Sequence, residues 1–148
     1  NVPATIAFAT ALTDAQNHLV AEKKRLQGLK KTLQKKLETI PNIEFHGSPK
    51  TQLPSFVSFS VSGIDAERII FALEDREVYL STGAACAASK GEKSPTLKAM
   101  GLNDEMIAGS LRISMGKLND EENIKQAGET ICEVITAEQA RLARSRHE

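Results

Sequence analysis

The chain has 148 residues, which suits one domain with its own core. Its 19 basic and 19 acidic residues give zero net charge, which argues against a general nucleic-acid binder and against a mimic of a polyanion. No apolar run approaches the roughly 20 residues of a membrane span, and no secretory signal pattern opens the chain. Cys86 and Cys132 lack metal-type spacing. We therefore expect a reducing, cytoplasmic setting, with a disulfide between them as the open alternative.

The first predicted element is a long amphipathic helix over residues 13–40. Thr13 and Gln16 have the form of a capping box, and Pro41 favours an end. Its apolar stripe is Leu19, Leu26, Leu29, Leu33, Leu37 and Ile40. Its other face is basic: Lys23, Lys24, Arg25, Lys30, Lys31, Lys35 and Lys36. That face is interpreted first as a solvated surface, and alternatively as a patch for an acidic partner or phosphate.

Two strands and a short helix are predicted next. Residues 43–45 form a strand candidate before a turn, and residues 55–62 alternate apolar and serine side chains, which indicates a half-buried strand. Asp65 is a suitable N-cap for a helix through about Glu74, with Ile69, Ile70 and Leu73 facing inward.

The remaining elements complete an α+β pattern. We predict a strand at 78–80, a helix from Pro95 to Met100, a strand at 111–114 and a closing helix capped by Asp120. The closing helix has the apolar stripe Ile124, Ala127, Ile131, Val134 and Ile135. The charged tail 141–148 is expected to fray. The fold class is therefore α+β, with a small, mostly antiparallel sheet covered by helices on one face.

Cys86 is the main candidate for reactive chemistry. It follows Ser81, Thr82, Gly83, Ala84 and Ala85, and Ala87 to Gly91 come after it. These small residues bury little apolar surface, and glycine relaxes the backbone. We therefore expect an exposed, mobile thiol placed for reaction, the alternative being an ordinary loop cysteine.

Five motifs in order resemble the cysteine desulfurases of the NifS and IscS type, in the class-V aminotransferase family. They are Leu53-Pro54, Gly63-Ile64-Asp65-Ala66-Glu67, Ser81-Thr82-Gly83-Ala84-Ala85-Cys86, Ala99-Met100-Gly101 and Ser110-Leu111-Arg112-Ile113-Ser114-Met115-Gly116. The resemblance covers nearly the whole chain. It includes Asn1-Val2-Pro3, which is similar to the segment where this family leaves its cofactor-binding domain.

The resemblance implies a specific reaction. Such enzymes use pyridoxal phosphate to remove sulfur from L-cysteine, giving L-alanine and a protein persulfide, and they pass the sulfur to iron–sulfur cluster or thio-cofactor assembly through an acceptor or scaffold protein. By the same match, Cys86 is the nucleophile, residues 81–85 form the active-site loop, and Arg112 binds the substrate carboxylate. Lys90 and Lys93 favour the thiolate or are solvated charges. Ser114 is a candidate for orienting Arg112, whose alternative role is a structural salt bridge.

The family's cofactor domain has no counterpart in these 148 residues. No stretch is similar to the surroundings of its Schiff-base lysine, so the resemblance implies that residues 1–148 form the single small C-terminal domain, as in fold-type I enzymes. Cofactor-binding residues are expected only in the absent large domain, so the isolated fragment is predicted to be inactive and to bind no pyridoxal phosphate tightly. The parent enzyme is expected to be a homodimer.

Other readings stay open alongside this one. A selenocysteine lyase-type relative is one alternative, and a free-standing persulfide carrier that receives sulfur from a partner is another. A third is a dimerisation or scaffold module that uses the long basic helix.

Cys132 is predicted to be a core thiol. His18, His46 and His147 share no motif with one another or with the cysteines, so no metal is expected.

Overall fold

The computed structural model describes residues 1–48, 50–83 and 94–145. In chain order the elements are α1 (Val2–Leu37), β1 (Ile43–Phe45), β2 (Phe56–Val61), α2 (Ala66–Glu74), β3 (Ser81–Thr82), α3 (Pro95–Ala99), α4 (Asp104–Ala108), β4 (Ser110–Ser114) and α5 (Glu121–Ser145). The strands form an antiparallel sheet in the order β1-β2-β4-β3. The predicted α+β class is confirmed.

The core lies between one face of the sheet and the long helices α1 and α5. The leucine stripe of α1 is buried at Leu26, Leu29, Leu33 and Leu37, and α5 contributes Ile124, Ile131, Val134 and Ile135. The sheet contributes Val57, Phe59, Val61, Leu111 and Ile113. Because each such side chain stabilises the fold by about 1.5–3 kcal/mol when fully buried, this layer dominates the stability.

Helix α1 begins eleven residues before the predicted start. Asn1 is the N-cap, and its Oδ1 accepts a hydrogen bond from Ala4 N at 3.3 Å. Thr13 is not a cap, because its hydroxyl donates to the carbonyl oxygen of Ala9 at 2.9 Å within the helix. The helix ends at Leu37, and Ile40 is buried in the turn that follows. The residues before Thr13 contain no helix breaker after Pro3, so the helix extends through them.

Two of the predicted elements agree closely with the structure. In β2, Val57, Phe59 and Val61 face the core, as the alternation predicts. Helix α2 begins after Asp65, whose Oδ1 accepts hydrogen bonds from Glu67 N at 2.8 Å and Arg68 N at 3.3 Å. Both predictions rest on local patterns that the tertiary structure preserves.

The strand predicted at 78–80 is wrong, because β3 is Ser81–Thr82 instead. Glu77 adopts a positive φ of 60°, and Val78 N donates to the carbonyl oxygen of Leu73 at 3.0 Å, which closes the end of α2. That backbone donor is therefore unavailable to the sheet, and strand pairing starts only three residues later.

The helices after residue 94 include one that was predicted and one that was not. Helix α3 has the predicted bounds to within a residue, but the five-residue α4, capped by Asn103, was not predicted. Asp120 and Asn123 cap α5 reciprocally, as each side chain accepts from the other's backbone N–H. Helix α5 continues to Ser145, so the described part of the charged tail is helical, and its predicted fraying stays a prediction.

Cys132, predicted to be a core thiol, is partly buried against the core rather than enclosed by it. Its Sγ donates to the carbonyl oxygen of Lys36 at 3.5 Å, which links α5 to the end of α1.

Among the helices in the described ranges, none is both long and apolar enough to span a bilayer.

Glu138 links α2 to α5 and makes the fold sensitive to acid. Its carboxylate accepts two hydrogen bonds of 2.8 Å from Arg141 and contacts Arg68 Nε at 3.0 Å. The hydrogen bonds from Arg141, and then Arg68, hold the pKa of Glu138 below its ordinary 4.5 despite burial. The stabilisation is therefore complete above about pH 4.5 and is lost as the pH falls through the lower folded-state pKa.

We expect Glu138→Gln to lower the free energy of unfolding by about 1 kcal/mol at neutral pH, because both arginines are half exposed and screened by solvent. The difference from wild type should shrink as the pH falls below the ordinary range of a glutamate. Urea unfolding at a series of pH values measures this. A difference that is constant across the acid range would contradict the assigned ionic role.

Candidate active site

The described part of the predicted active-site segment lies at the edge of the sheet. Ser81 and Thr82 form β3 and pair with Arg112 and Leu111 of β4. Gly83 N donates to the carbonyl oxygen of Ser110 at 2.8 Å, which extends the strand pairing by one residue. Ala84, Ala85 and the predicted nucleophile Cys86 lie outside the described residues, as do Lys90 and Lys93. The sheet therefore sets the position of the backbone three residues before Cys86.

Close packing disfavours a side chain at position 83. A Cβ atom there would stand 1.9 Å from Ser110 Oγ, 2.9 Å from Ser110 Cβ and 3.2 Å from a methyl group of Leu97. Leu97 belongs to α3, so Gly83 at the edge of the sheet lies close to the first described helix after the segment. Within the described part of the chain, the hydroxyls of Thr82 and Ser110 beside Gly83 are buried without a hydrogen-bond partner.

Arg112, the predicted carboxylate ligand, extends from the face of the sheet opposite the core. Its neighbours Leu111 and Ile113 face the core, whereas Arg112 is exposed. The alternative role of Arg112, a structural salt bridge with a neighbouring acid, is not seen among the described residues. Across the residues described, its guanidinium has no ion pair or hydrogen bond, which leaves all its donors available to an anion. Ser114 lies exposed on the same face.

Three polar residues near Arg112 were missed by the sequence analysis. Ser58 pairs directly with Arg112 across β2 and β4, and Ser60 lies on the same face. His46 follows β1, and its two ring nitrogens contact the hydroxyls of Ser58 and Ser60. Two signals were available: the serines alternate with the core residues of β2, and His46 directly follows a strand.

The match to a family model decides the relationship of the chain. Residues 1–127 match the model described as aminotransferase class-V. This chain belongs to the class-V aminotransferase family. The match includes Cys86 and Arg112, together with every strand of the sheet.

Within this family, curated relatives with similar sequences are cysteine desulfurases. The chain is 30% identical over 131 residues to cysteine desulfurase IscS of Pseudomonas syringae pv. tomato, and 28% identical over 130 residues to cysteine desulfurase IscS of Azotobacter vinelandii. Each alignment covers 88% of this chain and 32% of the relative. The chain therefore spans about a third of the length of these relatives.

Solved structures of NifS-like proteins have the same fold as this class-V chain. It superposes on a NifS-like protein with a TM-score of 0.75 at 24% identity, covering 92% of this chain and 34% of that one. A NifS-like protein from Rickettsia africae gives 0.69 at 22% identity, covering 80% and 30%. At these identities the likeness establishes the α+β fold alone.

The one described lysine with a lowered pKa, Lys30, does not fit the role of a Schiff-base lysine for pyridoxal phosphate in this class-V chain. Lys30 has a pKa lowered by burial, as a Schiff-base lysine needs, but its Nζ contacts Gln52 Oε1 at 2.6 Å and the carbonyl oxygen of Leu53 at 3.2 Å. It also lies on α1, on the core side of the sheet, whereas Arg112 extends from the other face.

Proposed function

We propose that this chain is the small C-terminal domain of a cysteine desulfurase and carries its sulfur-accepting thiol. The proposal rests on the class-V family match, which includes Cys86. It is supported by an exposed Arg112 beside the strand that leads to Cys86, with a guanidinium that has no partner among the described residues. The similarity to cysteine desulfurases named IscS supports L-cysteine as the substrate.

In this proposal Cys86 accepts sulfur from L-cysteine. Its thiolate attacks the substrate sulfur, an S–S bond forms, and the bond between that sulfur and the substrate Cβ breaks. The electron pair of the broken bond stays with the carbon, which takes a proton to give L-alanine. The protein sulfur is oxidised to a persulfide and the substrate carbon is reduced, so no external oxidant or reductant is needed.

The remainder of the enzyme supplies what this chain lacks. Pyridoxal phosphate, held in the large domain, provides the electron sink of the reaction. Arg112 anchors the carboxylate of the substrate. An acceptor or scaffold protein takes the persulfide sulfur for iron–sulfur cluster or thio-cofactor assembly in the cytoplasm, and the parent enzyme is a homodimer. The isolated chain is inactive.

Reconstitution tests the proposal. This chain is mixed with the separately expressed remainder of its parent enzyme, pyridoxal phosphate and L-cysteine, and alanine and the intact mass of the small chain are recorded. We expect alanine together with one added sulfur atom on Cys86. Association of the two parts without alanine would contradict a desulfurase, and sulfur gained only from a separate sulfur-donor protein would instead support a carrier.

Arg112→Lys is expected to lower kcat/KM for L-cysteine about tenfold to a hundredfold in the reconstituted enzyme. Lysine keeps the charge but loses the planar fork that holds both carboxylate oxygens. Steady-state kinetics measures the effect. Arg144→Lys, an exposed position in the last turn of α5, is the matched control and should leave kcat/KM unchanged. Equal activity of both variants would remove Arg112 from the site.

A further inference from the structure

A row of four polar residues crosses the face of the sheet that points away from the core. Ser58 of β2 and Ser81 of β3 both pair with Arg112 of β4. His46 extends the row beyond β1, because its backbone N donates to the carbonyl oxygen of Ser58 at 2.9 Å. We call His46, Ser58, Arg112 and Ser81 the outer row. Directly paired side chains have Cβ atoms about 4.5–5.5 Å apart, so Ser58 stands within reach of a group bound by Arg112.

His46 holds two serine hydroxyls at once. Its Nδ1 lies 3.1 Å from Ser58 Oγ and its Nε2 lies 2.9 Å from Ser60 Oγ. The ring is 5% exposed and Ser60 is fully buried. Burial lowers the pKa of His46, and the nearby Glu44 carboxylate only partly opposes this. The imidazole is therefore neutral at neutral pH, so one of its nitrogens donates a proton and the other accepts one.

The buried Ser60 selects which nitrogen carries the proton. Among the described residues, the hydrogen-bond partner of the Ser60 hydroxyl is His46 Nε2. If Nε2 donated, the buried Ser60 proton would have no acceptor, which is costly. Ser60 therefore donates to Nε2, and the histidine proton lies on Nδ1, where it donates to Ser58 Oγ. The Ser58 hydroxyl uses a lone pair in that bond and keeps its own proton available.

We propose that Ser58 is a second hydrogen-bond donor to the carboxylate that Arg112 binds, and that His46 is the positioning residue that leaves the Ser58 proton free for it. Ser58 is half-buried and Arg112 is exposed, so a ligand on the guanidinium reaches the hydroxyl from solvent. The nearby Glu44 lies opposite Ser60 in the adjacent row, so its charge is not in the outer row itself. The identity of the ligand as an amino acid rests on the proposed function, but the donor arrangement does not.

Nitrogen NMR of the 148-residue chain tests the first step. We expect His46 to be neutral at pH 7, with the proton on Nδ1 and an unprotonated Nε2. The opposite tautomer, with the proton on Nε2, would overturn the proposal, because Ser58 would then have to donate its proton to Nδ1 of His46.

Carboxylate titration tests the second step. Acetate and L-alanine are added to the chain, and the Nε–H of Arg112 and the backbone amide of Ser58 are followed. We expect saturable shifts at both groups, a dissociation constant raised about tenfold by Ser58→Ala, and near wild-type binding in Ser58→Thr, which keeps the hydroxyl. Ser145→Ala, an exposed serine on α5, is the control. Wild-type affinity in Ser58→Ala, or absence of shifts in the wild-type chain, would overturn the proposal.

His46 variants separate positioning from folding. His46→Phe should weaken carboxylate binding like Ser58→Ala while the amide spectrum stays that of a folded chain. If that variant does not fold, His46→Gln keeps one donor and one acceptor and should bind more tightly than Ser58→Ala. If a folded His46→Phe variant bound the carboxylate as tightly as the wild type, His46 would not be the residue that positions Ser58.

The two proposals fail separately. In the reconstituted enzyme, Ser58→Ala should raise KM for L-cysteine about tenfold with a smaller change in kcat. An active enzyme whose KM does not respond to Ser58→Ala would overturn the role of Ser58 alone. A reconstituted enzyme that yields no alanine, while the chain binds acetate through Ser58, would overturn the desulfurase and leave the carboxylate site intact.

Discussion

Cys86→Ser is expected to lower alanine formation in the reconstituted enzyme by roughly three orders of magnitude or more. A serine hydroxyl is not ionised near neutral pH and cannot form a persulfide, so both the attack and the storage of sulfur are lost. The measurements are the rate of alanine release and the intact mass of the chain, which should show no added sulfur.

The matched control for this change is Cys132→Ser. Cys132 lies partly buried on α5 and donates to a backbone carbonyl of α1, a contact that a serine hydroxyl can also make. It should therefore retain both alanine formation and sulfur loading. If Cys132→Ser lost the added sulfur and Cys86→Ser kept it, the nucleophile would be Cys132 and not Cys86.

Gly83→Ala is expected to lower the free energy of unfolding by about 2 kcal/mol. The Ser110 hydroxyl can rotate away from a new Cβ atom, but Ser110 Cβ, at 2.9 Å, moves only with its backbone. Pushing β4 and β3 apart at this point also moves the start of the segment that carries Cys86, so alanine formation should fall with stability. Denaturant unfolding of the isolated chain measures the first effect without relying on any activity.

Two further variants isolate the steric cause. Gly28→Ala, on α1 with no atom within 4 Å of a new Cβ, should raise the free energy of unfolding by about 1 kcal/mol, because alanine favours a helix. In a Ser110→Gly background, Gly83→Ala should cost less than in the wild type. An equal cost in both backgrounds would show that contact with Ser110 is not the reason.

Patterns confined to a single element predicted much of this fold. The alternation of β2 and the Asp65 cap of α2 appear in the structure as predicted, because burial and capping act over a few residues. The start of α1 and the strand at 78–80 were predicted wrongly. Thr13 looks like a cap but lies within a continuing helix, and Val78 is held by the end of α2 through a backbone bond that no side-chain pattern reveals.

The candidate site also has one part that the sequence predicts and another part that depends on strand pairing. Arg112 was singled out from its motif, but its exposure follows from the register of β4 against β2, which a single strand does not reveal. His46 has no motif around it, and its link to Ser58 and Ser60 exists only once β1 and β2 pair. Cross-strand neighbours are set by register, so they are the part of a site that a sequence pattern leaves open.

Helix α1 contains one buried and one exposed region within a continuous element. From Leu26 onward its stripe is buried, and Arg25 ties it to the loop before α5 through the carbonyl oxygen of Gly116 at 2.9 Å. Residues 1–21 are all exposed, although Ile6, Phe8, Leu12 and Leu19 are large and apolar. Most helical stability in proteins comes from tertiary packing of an apolar face, and residues 1–21 have no buried face in the described part of the chain. In the isolated chain the first turns of α1 can therefore open and close without unfolding the core, and whatever surface covers them in a larger assembly would also order them.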